Sequence, residues 1–241
     1  DILEQNQKQR LMDFLVKWIK DKINLTLKSL IDLKFLKDKN SSIKALAYQL
    51  YENNGVIKRE QVSEYLKTLG QNERKTLRDL GVKFGRYHVF LYKLIKPEAV
   101  LLRTLLWKNF HQKYFNLQPP TFGLNFLDDK KLQNRNFMLL CGFEKFNNIY
   151  VRIDILERLF MKIINYHAKD KREIKMLPEM LNLLGCNKEK FKILLQNMNY
   201  KVIERNNEVF FSYIPKKNLK VINKKFTKES PFGVLKDLNL N

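Results

Sequence analysis

Two cysteines, Cys141 and Cys186, and three histidines, His88, His111 and His167, are all the thiol and imidazole this 241-residue chain carries. They allow one disulfide at most, with no CxxC pair and no HxxxH spacing, so neither a disulfide framework nor a zinc site is expected. Such sparse cysteine fits a reducing compartment, and a cytoplasmic location with both thiols as small core residues is expected. There is no run of about 18 apolar residues and no signal-peptide start, so membrane insertion and secretion are not expected. Position 1 is Asp rather than Met, which reads as a fragment or a processed product.

The signatures of phosphate cradles and of catalysis are missing as well. No GxxxxGK[ST] loop, GxSxG elbow or HExxH helix occurs. Gly81 and Gly85 are too far apart for a GxGxxG turn, and their surroundings read as strand, turn, strand. Asp128 and Asp129 fall in a linker-like stretch and Asp154 at a helix start, so they form no acid–base pair. The chain itself is therefore expected to hold no catalytic residue, no metal and no cofactor.

What the chain has is positive charge: 46 Lys and Arg against 25 Asp and Glu, a formal net charge of +21, beside 44% hydrophobic and 12% aromatic residues. A coding bias toward Lys, Asn and Ile would raise the total but would spread it evenly. Residues 41–112 instead carry 13 cations against 6 acids, whereas residues 1–40 carry 9 against 6. Between Arg74 and Lys96, seven cations stand against the single acid Asp79. A polyanion, RNA or DNA, is the natural partner of such a cluster.

Periodicity divides the chain into five parts. Residues 1–40 form an amphipathic helical segment, two helices with a slip near Asn24, in which Trp18 is a core anchor and Lys17, Lys20 and Lys22 are solvated. Residues 41–112 begin with Ser41 and Ser42 as caps for a helix to Tyr51. A second helix, Gln61 to Leu69, stops at Gly70; a third, capped by Asn72, stops at Gly81. Val82 and Phe84, then Tyr87, Val89 and Leu91, alternate around Gly85 and Arg86, which suits a two-residue type II′ hairpin turn. Three short helices and a hairpin make a winged-helix pattern, and Pro97 opens a further helix to Phe110.

Residues 113–135, with Pro119, Pro120 and Gly123, read as a linker. Residues 136–215 repeat the order: a strand through Ile149, Val151 and Ile153, a helix from Ile155 capped by Asp154, a helix ending at Gly185, and a third capped by Asn187. A hairpin then turns at Asn206 and Asn207, a type I′ pair. Residues 216–241 are a basic tail containing SPFGVLKDL. The expected class is mainly α with small β-hairpins (α+β): a helical segment followed by two winged-helix-like modules.

Winged modules present the third helix and the wing to nucleic acid. In the first module these carry Arg74, Lys75, Arg78, Lys83 and Arg86, with Tyr87 and His88 as stacking groups. In the second, Glu189, Glu204 and Glu208 dilute Lys188, Lys190 and Lys192, which suits packing or protein binding.

LRDLGVKFGRYHVFLYKLIKPEAVLLRTLLW, from Leu77, resembles the region after the motor domains in bacterial relatives of the mitochondrial-type superfamily 2 (DExH) helicases. CGFEKFNNIYVRIDILERL and SPFGVLKDL resemble two further blocks of those proteins, in the same order. The family's ATP-binding and DExH motifs are missing, and the tail is richer in lysine. The resemblance implies a non-catalytic C-terminal accessory region of an ATP-dependent helicase. ATP and Mg would belong to the upstream motor domains, and a nuclease, an exonuclease in particular, is a candidate partner. Two other readings stay open: a protein-interaction scaffold that docks a nuclease or the motor, and a free-standing winged-helix DNA-binding regulator.

Overall fold

The computed structural model describes residues 4–36, 41–128, 134–167 and 173–214. The chain is mixed α+β, with helices packed on three small antiparallel sheets of three strands each. Helix α1 (Gln5–Thr26) starts with a capping box between Glu4 and Gln7. It ends at Leu27, three residues beyond Asn24, and α2 (Lys28–Lys34) follows. Leu27, Leu30 and Leu33 enter the first hydrophobic core. Trp18 does not anchor a core: it is 55% exposed, and α1 buries none of its residues. An amphipathic period specifies an apolar face but not what covers it, and only the end of α1 reaches the body, through Ile23 and the Lys22–Glu98 ion pair.

The first unit comprises α3 (Ser41–Glu52), β1 (Val56–Lys58), α4 (Ser63–Thr68), α5 (Gln71–Asp79), β2 (Val82–Phe84) and β3 (His88–Leu91), with sheet order β1-β3-β2. Its core joins Ile43, Leu46, Leu50, Leu66, Leu77 and Val89. Helix α5 starts at Gln71 with Gly70 in the capping position, ahead of Asn72. The alternation expected in β3 is absent, because all four of its residues are buried. As the central strand it is covered on both faces: Val89 and Leu91 meet the first core, while Phe90 packs with Val56 and Ile153.

Pro97 opens α6 (Pro97–Phe110) at its first turn. Residues 126–128, inside the stretch that reads as a linker, form β4 (Phe126–Asp128). Next come α7 (Arg135–Leu140), β5 (Phe143–Phe146) and β6 (Ile149–Arg152), and the sheet order is β4-β6-β5. Helix α8 (Ile153–His167) follows β6 without a gap, so Asp154 lies inside the first turn, held by Arg152 at 2.7 Å, rather than before Ile155 as a cap.

The second unit continues from α8 with β7 (Ile174–Lys175), α9 (Pro178–Leu184), α10 (Lys188–Asn197), β8 (Tyr200–Arg205) and β9 (Glu208–Tyr213), in sheet order β7-β9-β8. Gly185, at φ +70, ends α9 in the left-handed region. The Asn187 side chain accepts the Lys190 N–H at 2.9 Å. Asn206 and Asn207 have φ 50 and 61, as a type I′ turn requires. Residues 41–91 and 153–213 thus share one order of elements, and all three sheets place the last strand in the middle. The basic tail and SPFGVLKDL lie outside the described residues. No helix among the described residues is long and apolar enough to cross a membrane.

Candidate nucleic-acid interface

The β2–β3 hairpin is held from outside. Gly85 is not in the positive-φ conformation that a type II′ turn demands; its N–H donates to the His88 carbonyl at 2.8 Å, one register step beyond the Phe84–Val89 pair. The next three amides point at one carboxylate on α8. Arg86 N–H donates to Glu157 Oε2, while the Tyr87 and His88 N–H groups donate to Oε1 at 2.9 and 3.0 Å. A Cβ on residue 85 would collide with that carboxylate, so Glu157 would have to shift and the clamp would loosen. Arg59 completes the clamp, donating to the Gly85 carbonyl at 2.7 Å.

Beneath the turn lies a buried ionic network. His88, 2% exposed, places Nε2 2.8 Å from Glu144 Oε2 and Nδ1 3.8 Å from Glu157 Oε1. Lys58 and Arg135 approach the other Glu144 oxygen at 3.3 and 3.1 Å. Burial alone would lower the His88 pKa, but the hydrogen bond to Glu144 and the nearby Glu157 carboxylate outweigh it and raise the value above 6.5. Burial likewise opposes ionisation of Glu144, yet His88, Lys58 and Arg135 hold that carboxyl down at about 2.

The signs set a pH window. A raised His88 pKa contributes stability that is fully present below 6.5 and lost as pH rises through the folded value. A depressed Glu144 pKa contributes stability that is present above 4.5 and lost as pH falls through about 2. The urea midpoint should therefore decline on the alkaline side of pH 6.5, and His88→Gln should abolish that decline; the same decline in both proteins would count against the network.

Of the seven expected binding residues, His88, Tyr87 and Arg74 are engaged within the fold. His88 is sequestered in the network. Tyr87 packs edge-on against Phe160 at 5.5 Å, and burial beside Tyr200 pushes its phenol up. Arg74 donates to the carbonyls of Leu66 and Leu69, tying the α4–α5 corner, and shares the Phe84 ring with Arg78, each 5.9 Å from its centroid. Lys75 and Arg78 are exposed on α5, Lys83 on the edge strand β2, and Arg86 at the turn, 5.6 Å over Phe160.

Ion pairing separates the two units. Among the described residues, Lys75, Arg78, Lys83 and Arg86 have no carboxylate in ion-pair range. In the second unit Lys188 pairs with Glu204 at 3.1 Å, Lys190 with Asp128 at 2.6 Å, and Lys192 with Glu189 and Glu204 at 3.0 and 2.9 Å. Two similarly built third helices therefore differ in the charge they offer to solvent.

A groove of about 830 Å³ is lined by residues of all three sheets and of α8, among them Arg59, Arg86, Phe146, Phe160 and Tyr213. Sequence reading named Arg86 of these, and Tyr87 and His88, named with it, line the same groove. Arg59, Phe160 and Glu157 carry no local signal of their role, because each acts on a segment remote in sequence. Burial pushes the Cys141 thiol up to about 12 and that of Cys186, only partly buried, up to about 11. No cluster of metal-ligating side chains occurs among the described residues. The chain matches no family model, and no curated protein or solved structure matches it.

Proposed function

We propose that this chain is a non-catalytic accessory region that binds and guides a strand of RNA or DNA, built from two winged-helix-like units, residues 41–91 and 153–213. The observation that carries the reading is the contrast in ion pairing between the third helices: cations without carboxylate partners in the first unit, neutralised ones in the second. Cations held in intramolecular pairs have little to gain from phosphate, whereas solvated ones release counterions on binding it. In this reading, which the resemblance from Leu77 onward supports, the region would belong to an ATP-dependent DExH-type helicase, whose motor domains would supply the ATP and Mg chemistry and serve as its partner in cis.

Affinity for labelled RNA and DNA, measured at two salt concentrations, tests the reading. Arg78→Glu combined with Lys83→Glu should weaken binding on the order of tenfold or more at low salt and reduce the salt dependence. Unchanged affinity and unchanged salt dependence would refute it. The scaffold reading, with a nuclease or the motor as partner, has one observation of its own: Leu11, Phe14 and Trp18 on α1 are exposed apolar side chains.

A further inference from the structure

The groove lined by Arg59, Arg86, Phe160 and Tyr213 unites features that the basic face alone does not need. Its cations are held in place: Arg59 is anchored on the Gly85 carbonyl at 2.7 Å, and Arg86 lies 5.6 Å over the Phe160 ring. Its floor is aromatic and aliphatic. Phe146 and Phe160 are half-buried, Ile164 is exposed, and Tyr213, at the end of β9, is 42% exposed. Two carboxylates, Glu60 and Glu144, line it beside Lys58, Arg59, Arg86 and Lys145, and Glu144 is already compensated by His88, Lys58 and Arg135.

We infer that this groove takes the unpaired bases of a single strand, with Tyr213 as a stacking platform and Arg59 and Arg86 on the backbone; the inference rests on the proposed nucleic-acid function and narrows it. In a duplex the base faces are covered by their neighbours and only phosphates are presented, so the aromatic walls would gain nothing. A single strand exposes a π-face at every base, and stacking on aromatic side chains or guanidinium planes is the usual way proteins hold it without reading sequence. Arg86 on the β2–β3 turn, Phe146 on β5, Phe160 on α8 and Tyr213 on β9 line this one groove, so cations and rings lie within reach of the same strand.

The test is fluorescence anisotropy of the full chain with RNA and DNA single strands and a blunt duplex of equal length at one salt concentration, with 2-aminopurine inside the single strands to report stacking. The expected result is tighter binding of single strands than of duplex. Tyr213→Ala should weaken single-strand binding about tenfold and abolish the 2-aminopurine change while duplex binding stays constant, and Tyr213→Phe should restore both. A difference between the RNA and DNA arms identifies which sugar the channel prefers. If Tyr213→Ala leaves single-strand binding unchanged while Arg78→Glu with Lys83→Glu weakens it, the groove inference falls and the nucleic-acid reading stands. If the wild-type chain binds no oligonucleotide, both fall. Displacement of the strand by polyglutamate as readily as by unlabelled oligonucleotide overturns the inference in favour of an acidic peptide.

Discussion

Glu157→Ala is expected to remove about 3 kcal/mol from the unfolding free energy and to detach the β2–β3 hairpin from α8. One carboxylate, 12% exposed, accepts three consecutive backbone N–H groups and stands near His88 Nδ1. Without it those amides lose a charged acceptor inside a partly closed joint, and His88 loses one of the two carboxylates that favour its protonation. Glu157→Gln keeps a carbonyl oxygen but no charge, so an intermediate loss is expected. Urea titration checks the magnitude, and amide exchange at residues 86–88 checks the location. A double-mutant cycle sharpens the cause: Gly85→Ala should be damaging in the wild type, where a Cβ meets the Glu157 carboxylate, and much less so in Glu157→Ala. Strictly additive effects would refute the clamp.

Arg103→Ala should be at least as severe, about 4 kcal/mol. Arg103 is 3% exposed on α6 and donates to the carbonyls of Asn54, Leu94 and Leu140. Asn54 follows the end of α3 and Leu140 is the last residue of α7, so the guanidinium sits where carbonyls gather at helix C-termini. Burial lowers its pKa to about 10, which leaves it charged at neutral pH. Removing it strips three carbonyls of their donor and leaves a cavity between the first unit and α7. Arg103→Lys keeps the charge but not the fork, so about 2 kcal/mol of the loss should remain. Full stability in Arg103→Lys would mean that charge, not geometry, matters there.

Local signals were enough to place most of the elements. Pro97, Gly185, Asn187 and the Asn206–Asn207 pair act within a turn of the backbone they shape, so the sequence around each reveals its role. Interactions at long sequence separation left no such trace. Glu157 meets the hairpin from 71 residues away, Glu144 meets His88 from 56, and Arg103 reaches Asn54 across 49. His88 illustrates the consequence: in sequence it stands beside tyrosine in a basic cluster and reads as a stacking group, but in the fold it belongs to a carboxylate contributed by another sheet. β4 was hidden for a related reason, since three residues are too few to show a period and its partner β6 lies beyond α7. Trp18 shows the converse, a strong period whose apolar face stays exposed among the described residues.

The unequal ion pairing of the third helix and wing in the two units is tested most directly by the slope of log affinity against log salt for a single-stranded oligonucleotide, compared between matched neutralisations in the two units. Arg78→Gln with Lys83→Gln should flatten the slope by about 0.7 for each phosphate that is no longer neutralised, while Lys188→Gln with Lys192→Gln, which removes cations already paired to Glu204, should leave it unchanged. Equal flattening by both pairs, or flattening by the second pair alone, would contradict the assignment of the binding face to the first unit.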